Sequence, residues 1–413
     1  MKHFKDEAQL KRVFRLFLCC VFCYGIVEGF SLNIFSNFFK DAYNVSDQVR
    51  GWIETPRESP GVFCMFYLPA LAAFADVRLA RYAVIVDAVA LLLMGLLPTP
   101  FWTMMVFLLM FSFGSHTYYP MESSIGLAIA GESGNVGETL GRIRSVAQVA
   151  YFVAATCVFI FFRNGFFDFT ASVRRPFIFG AIACVAGFFL LGSIEKDMAW
   201  MPPREKGKLV IKKEFTNYYL LTFAFGIQKR IRMVFALWMF TQLLEKKADF
   251  TAILLIASAV VGIFVSPQMG KLLDRMGQKK AVMFEGAYML VIFTIYGFVA
   301  KGFAEGSLLL TNMVLYFSIG LFVLADLTKF FEFFHNFAMR KMATDEKDIG
   351  PTLSVGQAID HVMAITLSPL FGTMWAHFGP QSVFWTCAAF SIVQFLIAPR
   401  LPESDPAKAA QKA

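Results

Sequence analysis

Apolar stretches of about twenty residues recur along the whole chain, and each is long enough, at 1.5 Å per residue, to cross the roughly 30 Å hydrocarbon layer of a bilayer. Twelve such spans are read at 13–38, 51–75, 82–98, 101–130, 142–163, 175–194, 215–243, 250–270, 280–300, 307–340, 352–376 and 380–398. Inside lipid, every backbone N–H and C=O must be satisfied within a helix or a closed barrel. Strand-like alternation persists in none of the twelve, so the reading is an all-α membrane protein. A composition that is 57% apolar and only 16% charged agrees.

Lysine and arginine set the orientation. With the N-terminus in the cytoplasm, about two-thirds of the 38 fall in cytoplasmic segments, among them "MKHFKDEAQLKRVFR" at the start and "PPREKGKLVIKK" at 202–213. Both termini are then inside, and the net charge of +8 reflects topology and contact with the lipid bilayer, not nucleic acid. The first apolar run is too long for a cleavable signal and lacks a small-residue cleavage site, so it stays as span 1. All seven cysteines lie in spans, which argues against an external disulfide framework. "CCVFC" (19–23) reads as small apolar residues and not as a metal site. No phosphate loop, nucleophile elbow or H-E-x-x-H occurs, so the expectation is a non-enzyme without a cofactor or resident metal.

Between spans 8 and 9 the chain reads "GKLLDRMGQKK" (270–280), which resembles the cytoplasmic G-x-L-x-D-R-x-G-x-K/R-K/R loop of the major facilitator superfamily. Gly270 and Gly277 permit a tight turn, and Asp274 and Arg275 are placed to bridge helix ends. A degraded copy, "AAFADVRLARY" (72–82), lies between spans 2 and 3 and lacks both glycines. Sliding the sequence by 198 residues sets Pro69 on Pro267, Asp76 on Asp274, Arg81 on Lys279, Ala83 on Ala281, Val84 on Val282 and Asp87 on Glu285. A slide of 201 sets "YGIVEGF" (24–30) on "FGIQKRI" (225–231), with Glu28 opposite Lys229. The organisation read from this repeat is a six-helix half at 1–194, a basic linker at 195–214, a second six-helix half at 215–400 and a polar tail at 401–413. The resemblance implies a monomeric secondary transporter of the plasma (bacterial inner) membrane, with a central cavity lined by spans 1, 4, 7 and 10.

The intramembrane polar groups concentrate on those four spans. A charge at mid-bilayer depth costs about 2.5–3.5 kcal/mol on insertion scales, so each is a site candidate. Span 1 has Glu28, span 4 has His116 and Glu122, span 7 has Gln228, Lys229 and Arg232, and span 10 has Asp326, Lys329, Glu332 and His335. At 100° per residue Gln228, Lys229 and Arg232 share one sector, while Arg230 points away toward a neighbouring helix. Cavity groups are expected to be Glu28, His116, Gln228, Lys229, Arg232 and Lys329. Proton carriers are sought among Glu28, Glu122, Asp326, Glu332 and His335. Pairing of Glu28 with Lys229 as a structural lattice is the competing reading. In "DLTKFFEFFH" (326–335) neighbours three apart can pair, and a fully satisfied strip competes with a relay through Glu332 and His335. Glu54, Arg57 and Glu58, with Asp76, Gly270, Asp274, Arg275 and Gly277, are the gating candidates, and Asp360 and His361 offer either partners for Arg230 or a relay from span 11.

Setting aside Asp87 and Glu285 as shallow, the acids Glu28, Glu54, Glu58, Glu122, Asp326, Glu332 and Asp360 outnumber the cations Arg57, Lys229, Arg230, Arg232 and Lys329. That imbalance suits proton coupling. The expected cargo is a small organic anion or a zwitterion. Proton-driven export of a drug or lipophilic cation, recognised by Glu28 or Glu122, stays open, as does a transport-incompetent receptor or assembly protein.

Overall fold

The computed structural model describes residues 3–71, 73–133, 136–201, 211–343 and 349–402. Helix ends follow local chemistry. Helix α1 (Glu7–Tyr43) opens on Asp6, whose carboxylate accepts the Gln9 N–H at 2.7 Å, and closes on Asn44 in the left-handed conformation at φ 46°. Helices α2 (Asp47–Ala70), α3 (Asp76–Leu96), α4 (Phe101–Ser133), α5 (Val136–Arg163) and α6 (Arg175–Ile194) follow. Residues 202–210 of the basic linker and 403–413 of the tail lie outside the described residues. Then come α7 (Thr216–Arg230), a π-helical turn (Ile231–Ala236), α8 (Leu237–Gln242) and α9 (Ala248–Ala304). After α10 (Asn312–Leu327), a 3₁₀ turn (Thr328–Phe331) leads into α11 (Glu332–Met342), and α12 (Ile349–Phe378) and α13 (Pro380–Ile397) complete the chain. No strand occurs among the described residues, and eight helical segments are long and apolar enough to cross a membrane.

Two expectations need correction. The stretches 215–243 and 307–340, read as single helices, each change their winding where the charged side chains sit. "IRMVFA" contains neither glycine nor proline, so nothing in its composition announces a π turn. The turn at Gly277 is as expected. Its backbone, at φ 72° and ψ 165°, breaks the helical course of α9 in a conformation that an L side chain rarely adopts. The side chains of Gly270's neighbours through Asp274 lie largely outside the described residues, while Arg275 is exposed. In the first copy of this loop Asp76 is buried in the opening turn of α3, and Arg78 and Arg81 grip Glu195 at 2.7 and 3.1 Å. The hydrogen bond from Arg78 holds the Glu195 carboxyl below its ordinary value.

The chain forms two compact units. The first comprises Met1–Asn44, Pro60–Lys206 and Ala248–Ile253, and the second Val45–Ser59, Gly207–Lys247 and Leu254–Ala413. The opening of α2 groups with the second unit and the opening of α9 with the first. In the first unit α3 packs on α4 and α6, and α1 packs on α5 and α6. Phe17, Tyr24, Tyr118, Ile125 and Leu191 are among its buried core. In the second unit α7 packs on α12 and α13.

Gly114 on α4 permits an unusual feature of the first unit, a fully buried acid. Asp87 of α3 lies against it, and its carboxylate accepts the Tyr24 hydroxyl at 2.9 Å. A methyl group at residue 114 would sit 2.8 Å from the Ala83 carbonyl and closer still to the Asp87 carboxylate. Gly114→Ala should therefore force α3 and α4 apart at a cost of about 1–3 kcal/mol or more, seen as a lowered melting temperature in mild detergent. An unchanged melting temperature would show that α3 and α4 can accommodate a methyl group at this contact.

Candidate substrate and proton sites

Charges of the second unit form one connected node. In α2, Glu54 receives Arg50 at 2.7 Å and Arg57 at 2.6 Å, the latter being the expected i, i+3 pair. Arg57 also reaches Glu58 at 2.9 Å. Glu58 in turn accepts Arg230 of α7 at 2.9 Å and lies 3.1 Å from His361 of α12. Arg230 continues to Asp360 at 3.4 Å, and Asp360 also takes Lys229 at 3.0 Å. Glu54, Glu58 and Arg230 are buried, whereas Arg57 and Lys229 are partly open.

A second group lies where both broken helices change their winding. Arg232, within the π turn, binds Asp326 at 2.8 Å, and Lys329 binds the other oxygen of that carboxylate at 2.7 Å. A 3₁₀ winding begins two residues after Asp326 and eclipses side chains three apart, which suits the Asp326–Lys329 pair. Lys329 is 37% exposed at its side chain, so the pair presents a cation to open space.

The sector expected for span 7 is thus redistributed. Lys229 and Arg230, adjacent in sequence, both reach Asp360, because two long side chains 100° apart on α7 can converge on one acid between them. Arg232 goes to α10 instead. Gln228 turns to α13 and does not share a face with Lys229; it is buried, donating to Ser391 at 3.2 Å and to the Cys387 carbonyl at 3.3 Å. From there a chain of buried hydrogen bonds extends inward. Gln394 donates to Gln228 at 2.7 Å and to Glu285 at 3.2 Å, and Glu285 lies 2.8 Å from His335 Nε2. His335 also meets the edge of Phe225 at 4.8 Å between ring centroids.

This chain corrects the relay expected between Glu332 and His335. Glu332 is exposed, and the acid that His335 meets is Glu285, which sits 50 residues earlier in α9. Asp87 and Glu285, set aside as shallow, are both fully buried inside protein. Repeat equivalence was the signal that could have found them, since an acid kept at one register in both halves was already visible. Arg50 was also missed, because it precedes the apolar run of span 2.

In the first unit Glu28 accepts hydrogen bonds from Tyr151 of α5 and Tyr119 of α4. Glu122 is hydrogen-bonded by Tyr118, whose hydroxyl is also 3.6 Å from Cys20. His116 is occupied locally, its Nδ1 donating to the Ser112 carbonyl at 2.8 Å. Glu28 and Lys229, considered as a pair, each take partners within their own unit.

No family profile matches the sequence, and no curated protein matches it. Solved structures do. The fold is similar to the crystal structure of the nucleoside transporter NupG, with a TM-score of 0.71 and 12% identity over 94% of this chain and 98% of that one. It is also similar to the POT family transporter PepTSo, with a TM-score of 0.73 and 11% identity over 96% and 98% of the two chains. A D-xylose-proton symporter gives a TM-score of 0.66 and 13% identity over 96% and 99%. The fold and its apolar helices define an integral membrane protein. More narrowly, the chain has the major facilitator fold, in agreement with the loop motif at 270–280.

Proposed function

We propose that this protein is a proton-coupled secondary transporter that carries a small organic anion or zwitterion by alternating access. The same reading includes twelve spans, both termini in the cytoplasm and a monomer in the plasma membrane. The observation that carries the anion assignment is an excess of cations in both groups. In the first, Glu54, Glu58 and Asp360 face Arg50, Arg57, Lys229 and Arg230, and in the second Asp326 faces Arg232 and Lys329. One positive charge in each group is left over, and the partly open Lys229 and Lys329 are available to an incoming carboxylate or phosphate. Glu28, held by two tyrosine hydroxyls, suits an ammonium group and keeps the zwitterion in play.

Proton coupling is assigned to Glu285 and His335. A buried acid and imidazole in contact can hold one exchangeable proton, and here the acid also takes the amide of Gln394 while the imidazole meets Phe225. Gln394 and Gln228 then link the state of that proton to α7.

The test is proton movement in proteoliposomes loaded with a pH-sensitive dye, screened against pools of carboxylates, amino acids, sugar phosphates and lipophilic cations. An anion or amino-acid pool should trigger flux, and Arg232→Ala should abolish it. Flux triggered by lipophilic cations and unaffected by Arg232→Ala would replace the anion assignment with cation export.

A further inference from the structure

The π turn that carries Arg232 is held at both ends. Its start follows directly on Arg230, which is fixed by Glu58 and Asp360. At its end the carbonyl of Ala236 accepts a hydrogen bond from the Tyr296 hydroxyl of α9 at 2.9 Å, with both residues fully buried. The phenol ring is itself held by aromatic neighbours, tilted against Phe384 at 4.4 Å between centroids and stacked with Phe293 at 6.4 Å. Beyond the turn, Trp238 donates to Asp47 at 2.7 Å.

A π turn winds less per residue than an α turn and is uncommon, because its geometry is poorer. It persists only where surrounding contacts over-determine it. From this we infer that Tyr296 is a positioning residue for the anion site: it fixes the π winding at 231–236 and so aims Arg232 at Asp326. The inference rests on the transport reading given above. Among the described residues the Tyr296 hydroxyl meets the Ala236 carbonyl and so acts through the backbone. Without its hydroxyl the end of the turn is free to relax toward α winding, and Arg232 swings off the line to α10.

Tyr296→Phe removes the hydroxyl and keeps the ring. With the carboxylate that gives the largest proton flux in the screen, KM should rise roughly three- to tenfold with kcat unchanged, the size set by one hydrogen bond. The increase should vanish in an Arg232→Lys background, where the guanidinium that Tyr296 positions is already gone. Hydrogen–deuterium exchange in purified protein should accelerate within 231–240 and not in α9 or α12. A fall in kcat with KM constant, or a KM shift of equal size in the Arg232→Lys background, would overturn the positioning role. Unchanged exchange at 231–240 would overturn the pinning of the turn, whatever the protein carries. Loss of folding in Tyr296→Phe would also refute the inference, because one neutral hydrogen bond cannot account for it. If no carboxylate moves protons, the anion reading fails, and the exchange measurement still decides whether Tyr296 holds the turn.

Discussion

Arg230→Met is expected to leave little stable protein. The guanidinium is 3% exposed and joins the buried Glu58 on α2 to the partly buried Asp360 on α12, so its removal leaves both carboxylates short of a partner. Breaking a buried ion pair from one side typically costs about 3–5 kcal/mol, because the remaining charge loses its compensation and cannot regain water. Arg57, His361 and Lys229 soften the loss and place the cost near the lower end of that range. Thermal melting in mild detergent should show a drop of many degrees for Arg230→Met. Lys229→Met, whose ammonium is partly open to solvent, should melt close to the parent. Equal melting of the two variants would mean that Arg230 does not hold these helices together.

Glu285→Gln should separate accumulation from movement. The amide keeps an oxygen for Gln394 and a polar group for His335, but it cannot release a proton at any accessible pH. A gradient of about one pH unit stores about 1.4 kcal/mol, enough for roughly tenfold accumulation of a substrate coupled one to one with a proton. Proteoliposomes bearing the variant should reach a ratio near one, with counterflow exchange preserved because exchange needs no net proton transfer. Accumulation at the parent level would remove Glu285 from the coupling path. Loss of exchange as well would make it a scaffold residue.

The helical architecture was legible because lipid imposes it: length and apolarity alone define a spanning helix. Charged groups were legible where their partners are near in sequence, as with Arg57 and Glu54 or Lys329 and Asp326. Arg230 could be assigned to a neighbouring helix by its angle, and Asp360 was a candidate partner. Contacts between distant elements escaped. His335 has an acid three residues away, and the acid it uses is on α9, because burial and not sequence proximity decides which carboxylate it meets. The π turn escaped for a different reason: an ideal helical wheel assumes a constant 100° per residue, and any change of winding turns every later assignment. Lys229 and Arg230, ahead of the turn, share Asp360, while Arg232, within it, meets Asp326.

The wide turn at Ile231–Ala236 also bears on how this chain relates to others. Losing one residue from a packed helix swings everything beyond it by about 100°, which a buried helix does not survive. A π turn is the place where that loss can be absorbed, since shedding one residue converts it to ordinary α winding while the flanking faces keep their phase. Relatives lacking one residue in this segment should therefore carry the gap here and nowhere else in α7 or α8, and in them a phenylalanine is the expected counterpart of Tyr296.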